Sequence, residues 1–268
     1  MGSSLRRAAE RYGLSVLVIS QKMSNSYAAV GVIREAWLPT RRDKDRTQES
    51  LAFYRNNDML LADNIAMTTS AKNLIPKEKA DFFAVNINKA LLYPDIEARV
   101  VSIKEDCIWT DSSDCYKAKI GIVAALGPNT LDFVNSGNSH ISYGATRIID
   151  RGKLPTNLMI HQWKPYQLLT LTYSETYTRI GSSTSSKEEN AFPNFVRMAS
   201  ESPEAYHLYG GKVLVGARLH SDHETYAEHW VSKRLCFLFG FGKMGFALAP
   251  SLAEEVITKL VNNYVAIL

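Results

Sequence analysis

Alternating apolar and polar positions predict strands in the middle of the chain and toward its end. The clearest example runs over Gln167–Arg179, where leucine, tyrosine and glutamate alternate with threonine and serine. Tyr116–Leu126, His140–Ile149 and Lys212–Leu219 follow the same period of two. That period places the apolar residues on one face of a strand. The threonine-rich second face of the first segment indicates an antiparallel sheet with one wetted side.

Other segments place apolar residues three or four positions apart, which is the helical period. This spacing predicts short helices over Leu5–Tyr12 and over Gln48–Ala62, the second capped by Thr47. A further helix is expected to begin at Pro76 and to continue through Phe83, Ile87 and Leu91. Continuous apolar runs elsewhere predict buried strands over 14–20, 27–38 and 231–239.

The last segment of the chain carries the strongest helix signal. Ser251 and Glu254 form a capping box, in which the two side chains satisfy free amides at a helix start. From Leu252 the apolar residues recur every four positions to Leu268. We therefore expect a C-terminal helix that begins at Ser251 and docks tightly through this apolar side.

The order of these elements predicts an α+β fold, since helices come early, strands follow, and one helix comes last. The expected architecture is mainly an antiparallel sheet or sandwich with flanking helices and the C-terminal helix. Residues 1–46 form a basic N-terminal segment that could belong to the body, and residues 47–268 form that body. The serine-rich segment 181–190 is expected to be a mobile loop, because it offers nothing to pack.

Composition restricts the class of protein further. Of the 268 residues, 46% are hydrophobic and 22% are charged, which excludes wholesale disorder and a coiled coil. There is no long apolar stretch for a membrane helix or a secretory signal, so we expect an intracellular protein, cytoplasmic or virion-associated rather than secreted. The three cysteines are expected to be free thiols, although Cys107 and Cys115 are close enough to pair if oxidised.

Charge is distributed unevenly along the chain. The net charge is +4, yet residues 1–46 alone hold nine basic and four acidic residues, and the remainder is close to neutral. Such asymmetry suggests a polyanion partner, either nucleic acid or an anionic membrane surface. The candidate anion-binding residues are the arginines of this segment, namely Arg6, Arg7, Arg11, Arg41, Arg42 and Arg46.

A histidine-rich segment is the main candidate for metal chemistry. Imidazole and carboxylate groups are ligands of divalent transition metals, and three of the six histidines lie within ten residues. The candidate ligands are His220, Asp222, His223 and His229. The spacing matches no standard zinc motif, and a polar loop between strands would collect the same residues. One divalent transition metal is therefore the alternative to a protein without a cofactor.

Residues 240–245 spell G-x-G-x-x-G after an apolar run, which is the pattern of a phosphate-binding turn. A dinucleotide-binding unit requires the last glycine to open a helix and a further strand to follow. Because the helix is expected to begin only at Ser251, the pattern is interpreted as a tight turn between strands, and nucleotide binding is rejected.

No complete catalytic constellation emerges from the sequence. The leading hypothesis is therefore a non-enzymatic binding and assembly protein, such as a viral coat or matrix protein. It would use the arginines to bind nucleic acid, whether RNA or DNA, or an anionic membrane, and it would form a homo-oligomer through its C-terminal helix. The alternative hypothesis is a metal-dependent hydrolase centred on His220–His229.

Overall fold

The computed structural model describes residues 1–21, 25–62, 67–69, 74–75, 82–135, 137–149, 157–163, 166–173, 177–181, 184–200, 211–222 and 224–266. The described helices are α1 (Gly2–Arg11), α2 (Arg41–Asn56), α3 (Ile87–Ala90), α4 (Ala191–Ser200) and α5 (Gly245–Val265). The described strands are β1 (Ile19–Ser20), β2 (Val32–Arg34), β3 (Leu60–Ala62), β4 (Met67–Thr69), β5 (Leu74–Ile75), β6 (Phe82–Val85), β7 (Ile96–Glu97), β8 (Val100–Ile103), β9 (Cys107–Thr110), β10 (Cys115–Lys117), β11 (Ile122–Ala124), β12 (Ser139–Ile149), β13 (Asn157–Trp163), β14 (Tyr166–Tyr173), β15 (Tyr177–Gly181), β16 (Lys212–Ser221), β17 (Ala227–Ser232) and β18 (Leu235–Phe239). Helices and several sheets are mixed, so the broad α+β prediction is confirmed.

The expectation of a mainly antiparallel sheet or sandwich is met only in part, because the described strands form five sheets rather than a clear sandwich. The largest sheet has the order β16-β12-β15-β14-β13-β4-β5, and its pairs are antiparallel except for β13 with β4. Smaller antiparallel sheets have the orders β10-β9-β8 and β2-β6-β3. Two further sheets contain parallel pairs, β1 with β7 and β11 with β18, and β17 extends the second of these. Parallel pairing is typical of strands joined by helices rather than by hairpins.

Helices α1 and α5 form one layer of the molecule. Leu5 and Ala8 of α1 and Val256 and Ile257 of α5 are buried in a common apolar cluster. The parallel strands cover this helix layer, and Leu238 of β18 is buried in the same cluster. The parallel strands thus pack directly on these two helices.

Helix α2 begins earlier than the sequence predicts. Thr40 is its N-cap, because its Oγ1 accepts a 3.1 Å hydrogen bond from the Asp43 amide and donates to the Asp43 carboxylate at 2.6 Å. Thr47, the predicted cap, lies buried within the helix, and its hydroxyl donates to the Asp43 carbonyl. Both threonines fit an N-cap by type, and burial of the helix face decides between them.

The helix predicted from Pro76 is also incorrect where the structure describes it. Residues 76–81 lie outside the described part, and Phe82–Val85 form a completely buried strand between β2 and β3. A helix starts only at Ile87, behind Asn86 as its cap, and it has four residues. A continuous apolar run satisfies helical and strand spacing alike, so tertiary pairing decides its conformation.

The segment predicted as one strand from Gln167 contains β14 and β15, which pair with each other in antiparallel register, and residues 174–176 lie outside the described part. The predicted loop 181–190 is described except at residues 182 and 183. In it, Ser185 exchanges backbone hydrogen bonds with Tyr143 of β12 at 2.8 and 2.9 Å. None of the described helices is both long enough and apolar enough to span a bilayer.

The cysteines differ from the expectation of free thiols. A disulfide joins Cys107 of β9 to Cys115 of the neighbouring β10. Cys236 is free and completely buried, and burial raises the pKa of its thiol to about 12. The prediction of a free thiol that serves as an apolar filler therefore holds for Cys236 alone.

Candidate functional site

A cavity of about 1600 Å³ opens beside the parallel strands. Its lining includes the first turn of α1, residues 14–21, strand β11 and the turn that joins β18 to α5. Part of β16 lines it as well, through residues 216–219. The cavity therefore lies between the layer of parallel strands and the large, mainly antiparallel sheet, which is the position where a folded chain most readily holds a small ligand.

The turn between β18 and α5 is shaped by glycines. Gly240 and Gly242 have φ of +81° and +50°, a region that other residues rarely adopt. A Cβ at Gly240 would lie 2.9 Å from the Ser221 Cβ, and one at Gly242 would lie 2.3 Å from the His220 Nδ1. Both positions thus require glycine for conformation and for space.

This turn leads directly into a helix, which corrects the reason for rejecting a phosphate-binding turn. Helix α5 begins at Gly245 rather than at Ser251, so a buried strand, a glycine turn and a helix follow one another. The N-cap residue, Met244, provides no side-chain cap for the first amides of the helix. Uncapped amides at the positive end of a helix attract phosphate, carboxylate and carbonyl oxygens.

Arg218 is the second polar feature of the cavity, and no motif or spacing in the sequence distinguishes it from other arginines. It lies on β16 opposite Ser142 of β12, it is half-buried, and it is one of the residues that line the cavity. Burial lowers its pKa, and no acidic side chain of the described chain forms an ion pair with it. A half-buried cation without a counter-ion is a natural anchor for an anionic ligand. Lys243, in the glycine turn, adds a second positive charge to the same lining.

Two stacked histidines support the glycine turn from outside the cavity lining. The rings of His140 and His220 lie parallel with centroids 4.8 Å apart. His140 Nδ1 is 2.5 Å from an Asp222 carboxylate oxygen, and His220 Nε2 is 2.7 Å from the Ser142 hydroxyl. His220 also contacts Gly242, so the histidine pair fixes the turn that begins α5.

The predicted metal ligands are only partly brought together. His220 and Asp222 lie near each other, but each bonds to a residue that the sequence did not nominate, Ser142 and His140 respectively. His229 is exposed on β17, and His223 lies outside the described residues. Within the described residues, no three histidine, cysteine, aspartate or glutamate side chains gather as metal ligands would.

Most of the predicted anion-binding arginines form ion pairs or hydrogen bonds within the chain. Arg6 pairs with Glu10 and Asp95 at 2.9 Å each, and Arg11 pairs with Glu254 of α5. Arg7 donates to the carbonyls that end α3, Ala90 at 2.6 Å and Lys89 at 2.9 Å. These contacts attach α1 to the elements around it.

The arginines of α2 differ from one another. Arg46 is buried and bonds to the carboxylate of Glu255 and the hydroxyl of Tyr226. Arg42 is exposed and lies 3.6 Å from the other oxygen of Glu255, whereas Arg41 is exposed at the start of the helix. A buried guanidinium that is hydrogen-bonded to two side chains has a structural role. From the sequence alone, Arg46 could not be distinguished from an arginine on the surface.

No protein-family model matches this sequence, and no curated protein matches it either. Solved structures do share its fold. Glycine oxidase from Bacillus cereus is 14% identical with a TM-score of 0.70, and the match covers 97% of this chain and 92% of that one. L-proline dehydrogenase from P. horikoshii is 12% identical with a TM-score of 0.67, covering 98% and 90%. The FAD dependent oxidoreductase PA4991 from Pseudomonas aeruginosa is 10% identical with a TM-score of 0.60, covering 98% and 88%.

These similarities correct the functional predictions. The structures that share the fold are oxidoreductases, so the hypothesis of a non-enzymatic coat- or matrix-like assembly protein is wrong, as is its metal-hydrolase alternative. The expected partners, nucleic acid or an anionic membrane, and the expectation of no cofactor or of one transition metal are corrected for the same reason. At this level of identity the comparison establishes the fold alone, which is a helix-backed layer of parallel strands beside a large mixed sheet.

Proposed function

We propose that this chain is a flavin-dependent oxidoreductase that acts on a small amine bearing a carboxylate, such as an amino acid. The observation that carries the proposal is the placement of two complementary features in one cavity. The glycine turn at the start of α5 suits a cofactor, and the cation of Arg218, which has no acidic partner among the described residues, suits an anionic substrate.

The residues present fit a flavin nucleotide in chemistry. Gly240 and Gly242 shape the turn, because a Cβ at either position would clash with Ser221 or His220, and the first amides of α5 point from an uncapped helix end. These groups would hold electronegative atoms of the cofactor, either phosphate or ring oxygens. A flavin bound there would supply the capacity to accept two electrons as the amine carbon is oxidised to an imine.

The two kinds of sheet would have different binding roles. In this proposal the parallel strands and α5 hold the cofactor, and the mainly antiparallel sheet provides the substrate side. Arg218 projects from that sheet into the cavity lining, where its guanidinium would bind a carboxylate in bidentate fashion and orient the amine. The sheet also supports the stacked pair of His140 and His220, which holds the glycine turn in place.

Titration of the purified protein with FAD tests the cofactor assignment, with flavin fluorescence and visible absorbance as the readout. Gly242→Ala introduces a Cβ against His220, whereas Gly137→Ala places one in open space at nearly the same φ, +51°. We expect the wild-type protein and Gly137→Ala to bind FAD and Gly242→Ala to bind at least about tenfold more weakly, the effect of about 1.4 kcal/mol. Melting temperatures of all three show whether a loss reflects unfolding. Absence of FAD binding by the wild-type protein would overturn the proposal.

Arg218→Met separates substrate binding from cofactor binding. We expect the variant to bind FAD with unchanged affinity. In the absence of oxygen, a mixture of amino acids should reduce the bound flavin of the wild-type protein and bleach its visible absorbance, and this bleaching should be lost in the variant. Arg218→Lys keeps the charge but not the planar fork, so it should recover only part of the affinity. Equal bleaching of the flavin in the wild-type protein and in Arg218→Met would show that Arg218 does not bind the substrate.

A further inference from the structure

One face of the paired strands β12 and β16 carries a row of polar side chains. Ser142 of β12 lies opposite Arg218 of β16, and two positions further along, His140 lies opposite His220. Opposite residues of an antiparallel pair, and residues two apart on one strand, project from the same face. Arg218 lines the cavity, whereas the His140 side chain is 61% exposed. The polar row therefore runs from the cavity to the solvent.

The glycine turn is attached to this row at His220. The Gly242 amide donates to the Leu219 carbonyl at 2.8 Å. The Ser221 amide donates to the Gly240 carbonyl at 3.1 Å. Between these two bonds the His220 ring lies so close to Gly242 that a Cβ there would be 2.3 Å from Nδ1. Because Gly242 itself lines the cavity, His220 lies directly behind the turn to which we assign an electronegative ligand.

The Ser142 hydroxyl suits both protonation states of His220. It lies 2.7 Å from Nε2, and a hydroxyl can donate to a bare ring nitrogen or accept from a protonated one. Ser142 is only 7% exposed, so this hydrogen bond is shielded from water. No group of the described chain bonds to Nδ1, the nitrogen nearest the turn. A second proton can therefore be added to the ring without loss of the bond to Ser142.

Positive charges around the His220 ring oppose this proton. Arg218 lies on the same strand, Lys243 lies in the glycine turn, and the His140 ring is stacked on His220 with centroids 4.8 Å apart. Burial lowers the pKa of His220, and these three groups lower it further. Asp222, which lies 2.5 Å from His140 Nδ1, acts in the opposite direction. The neutral ring is therefore favoured while no anion is bound nearby.

An anion bound at the turn or at Arg218 would change this balance. Its charge would offset the cations that oppose protonation of His220, so that the ring would bind a proton more tightly. Thermodynamic linkage requires the reciprocal effect, in which a proton on His220 strengthens the binding of the anion by the same factor.

We propose that His220 takes up a proton when an anionic group binds between the glycine turn and Arg218. The group is a phosphate or a carboxylate, and its affinity should rise as the pH falls from about 8 to about 6. His220 contacts the turn rather than the ligand, so it is a positioning residue. The coupling acts at the site of the proposed function and rests on it for that site, but it does not require the ligand to be a flavin.

Nuclear magnetic resonance of the protein with isotopically labelled histidine rings tests the coupling, without FAD and with EDTA to remove divalent cations. Sulfate represents a phosphate and acetate a carboxylate, and neither changes its charge between about pH 6 and about pH 8. We expect the proton affinity of His220 to be at least about threefold higher in sulfate or acetate than in sodium chloride of equal ionic strength. The resonance is identified by its loss in His220→Gln. His229, exposed on β17, is the internal control and should titrate alike in all three salts.

Arg218→Met distinguishes the two sources of the anion. A response of His220 to sulfate that persists in this variant supports a phosphate bound at the glycine turn. A response to acetate that is lost supports a carboxylate bound at Arg218. Identical titration of His220 in all three salts in the wild-type protein would overturn the proposal, as would a response confined to His140.

Titration of the same protein with FAD separates this proposal from the flavin assignment. A protein that binds FAD, but in which His220 responds to neither anion, would retain the flavin assignment and lose the coupling. A protein in which His220 responds to the anions, but which does not bind FAD, would retain the coupling and lose only the flavin assignment.

Discussion

The hydroxyl of Tyr54 donates a 3.0 Å hydrogen bond to the backbone carbonyl of Phe246. Phe246 lies four residues before Pro250, and because proline has no N–H, the helix itself cannot provide a donor for this carbonyl. Tyr54 is only 3% exposed, and burial raises the pKa of its phenol. The Tyr54 hydroxyl of α2 thus supplies the hydrogen bond that Pro250 cannot donate within α5. This bond allows α5 to begin at Gly245.

Tyr54→Phe removes this donor and leaves the ring. We expect the variant to lose about 1–2 kcal/mol of unfolding free energy, because the carbonyl of the partly buried Phe246 then loses the donor that Tyr54 provides. Urea denaturation measures the loss. Tyr12→Phe is the matched control, since the Tyr12 hydroxyl bonds to Thr258 at 2.6 Å but the residue is 41% exposed. Losses of equal size in the two variants would contradict the role of Tyr54.

Arg46→Met should destabilise the protein far more than its neighbour on α2. The Arg46 side chain is 7% exposed and pairs with Glu255, whose side chain is 31% exposed. Breaking a fully buried pair costs about 3–5 kcal/mol, and the partial exposure of Glu255 reduces the expected loss to about 2–3 kcal/mol. Arg42→Met removes a cation that is 71% exposed and should change the unfolding free energy by about 0.5 kcal/mol or less. If the two variants unfold at the same urea concentration, Arg46 has no structural role.

Stability should fall as pH decreases below the ordinary histidine pKa of 6.5, and His220 should account for part of the slope. Burial lowers the pKa of His220, and the positive charges of His140, Arg218 and Lys243 lower it further, against the opposing effect of Asp222. In this range the unfolded chain binds a proton that the folded chain binds less readily, so protonation favours unfolding. Above pH 6.5 both states are neutral at this residue and the contribution is complete.

Melting temperatures at about pH 7.5 and about pH 5 test this dependence. Between these two pH values, the melting temperature of a His220→Gln variant should decrease by less than that of the wild-type protein. His229→Gln, at an exposed position on β17, should retain the wild-type slope. A His220→Gln slope identical to that of the wild-type protein would contradict the prediction.

Thiol titration distinguishes the disulfide from the free cysteine. In denaturant without reductant we expect one reactive thiol per chain, that of Cys236, and after reduction we expect three. In the native state Cys236 should react slowly, because burial raises the pKa of its thiol to about 12 and the thiolate is the reactive form. Three thiols before reduction would show that Cys107 and Cys115 are not joined in the purified protein.

Several elements follow from local pattern alone, because one face of each is buried against a single partner. The alternating segments predicted over His140–Ile149 and Lys212–Leu219 pair with each other in the structure. Leu252, Val256 and Leu260, spaced four apart in the predicted C-terminal helix, are all buried. Periodicity identifies such elements without knowledge of the partner.

The candidate site depended on contacts that no local pattern records. In the sequence, Pro250 resembles a helix boundary. In the structure, the hydroxyl of Tyr54, almost two hundred residues away, replaces the missing donor, and the helix begins at the glycine turn before Pro250. Arg218 follows the ordinary alternation of a wetted strand, and folding leaves it half-buried with no acidic partner in the part of the chain that the structure describes. Residue types and their spacing are sufficient to predict the α+β composition, the apolar side of the C-terminal helix and the glycine spacing. The helix starts, the burial of charges and the polar groups that share a cavity emerge only in the folded chain, since each depends on desolvation by residues distant in the sequence.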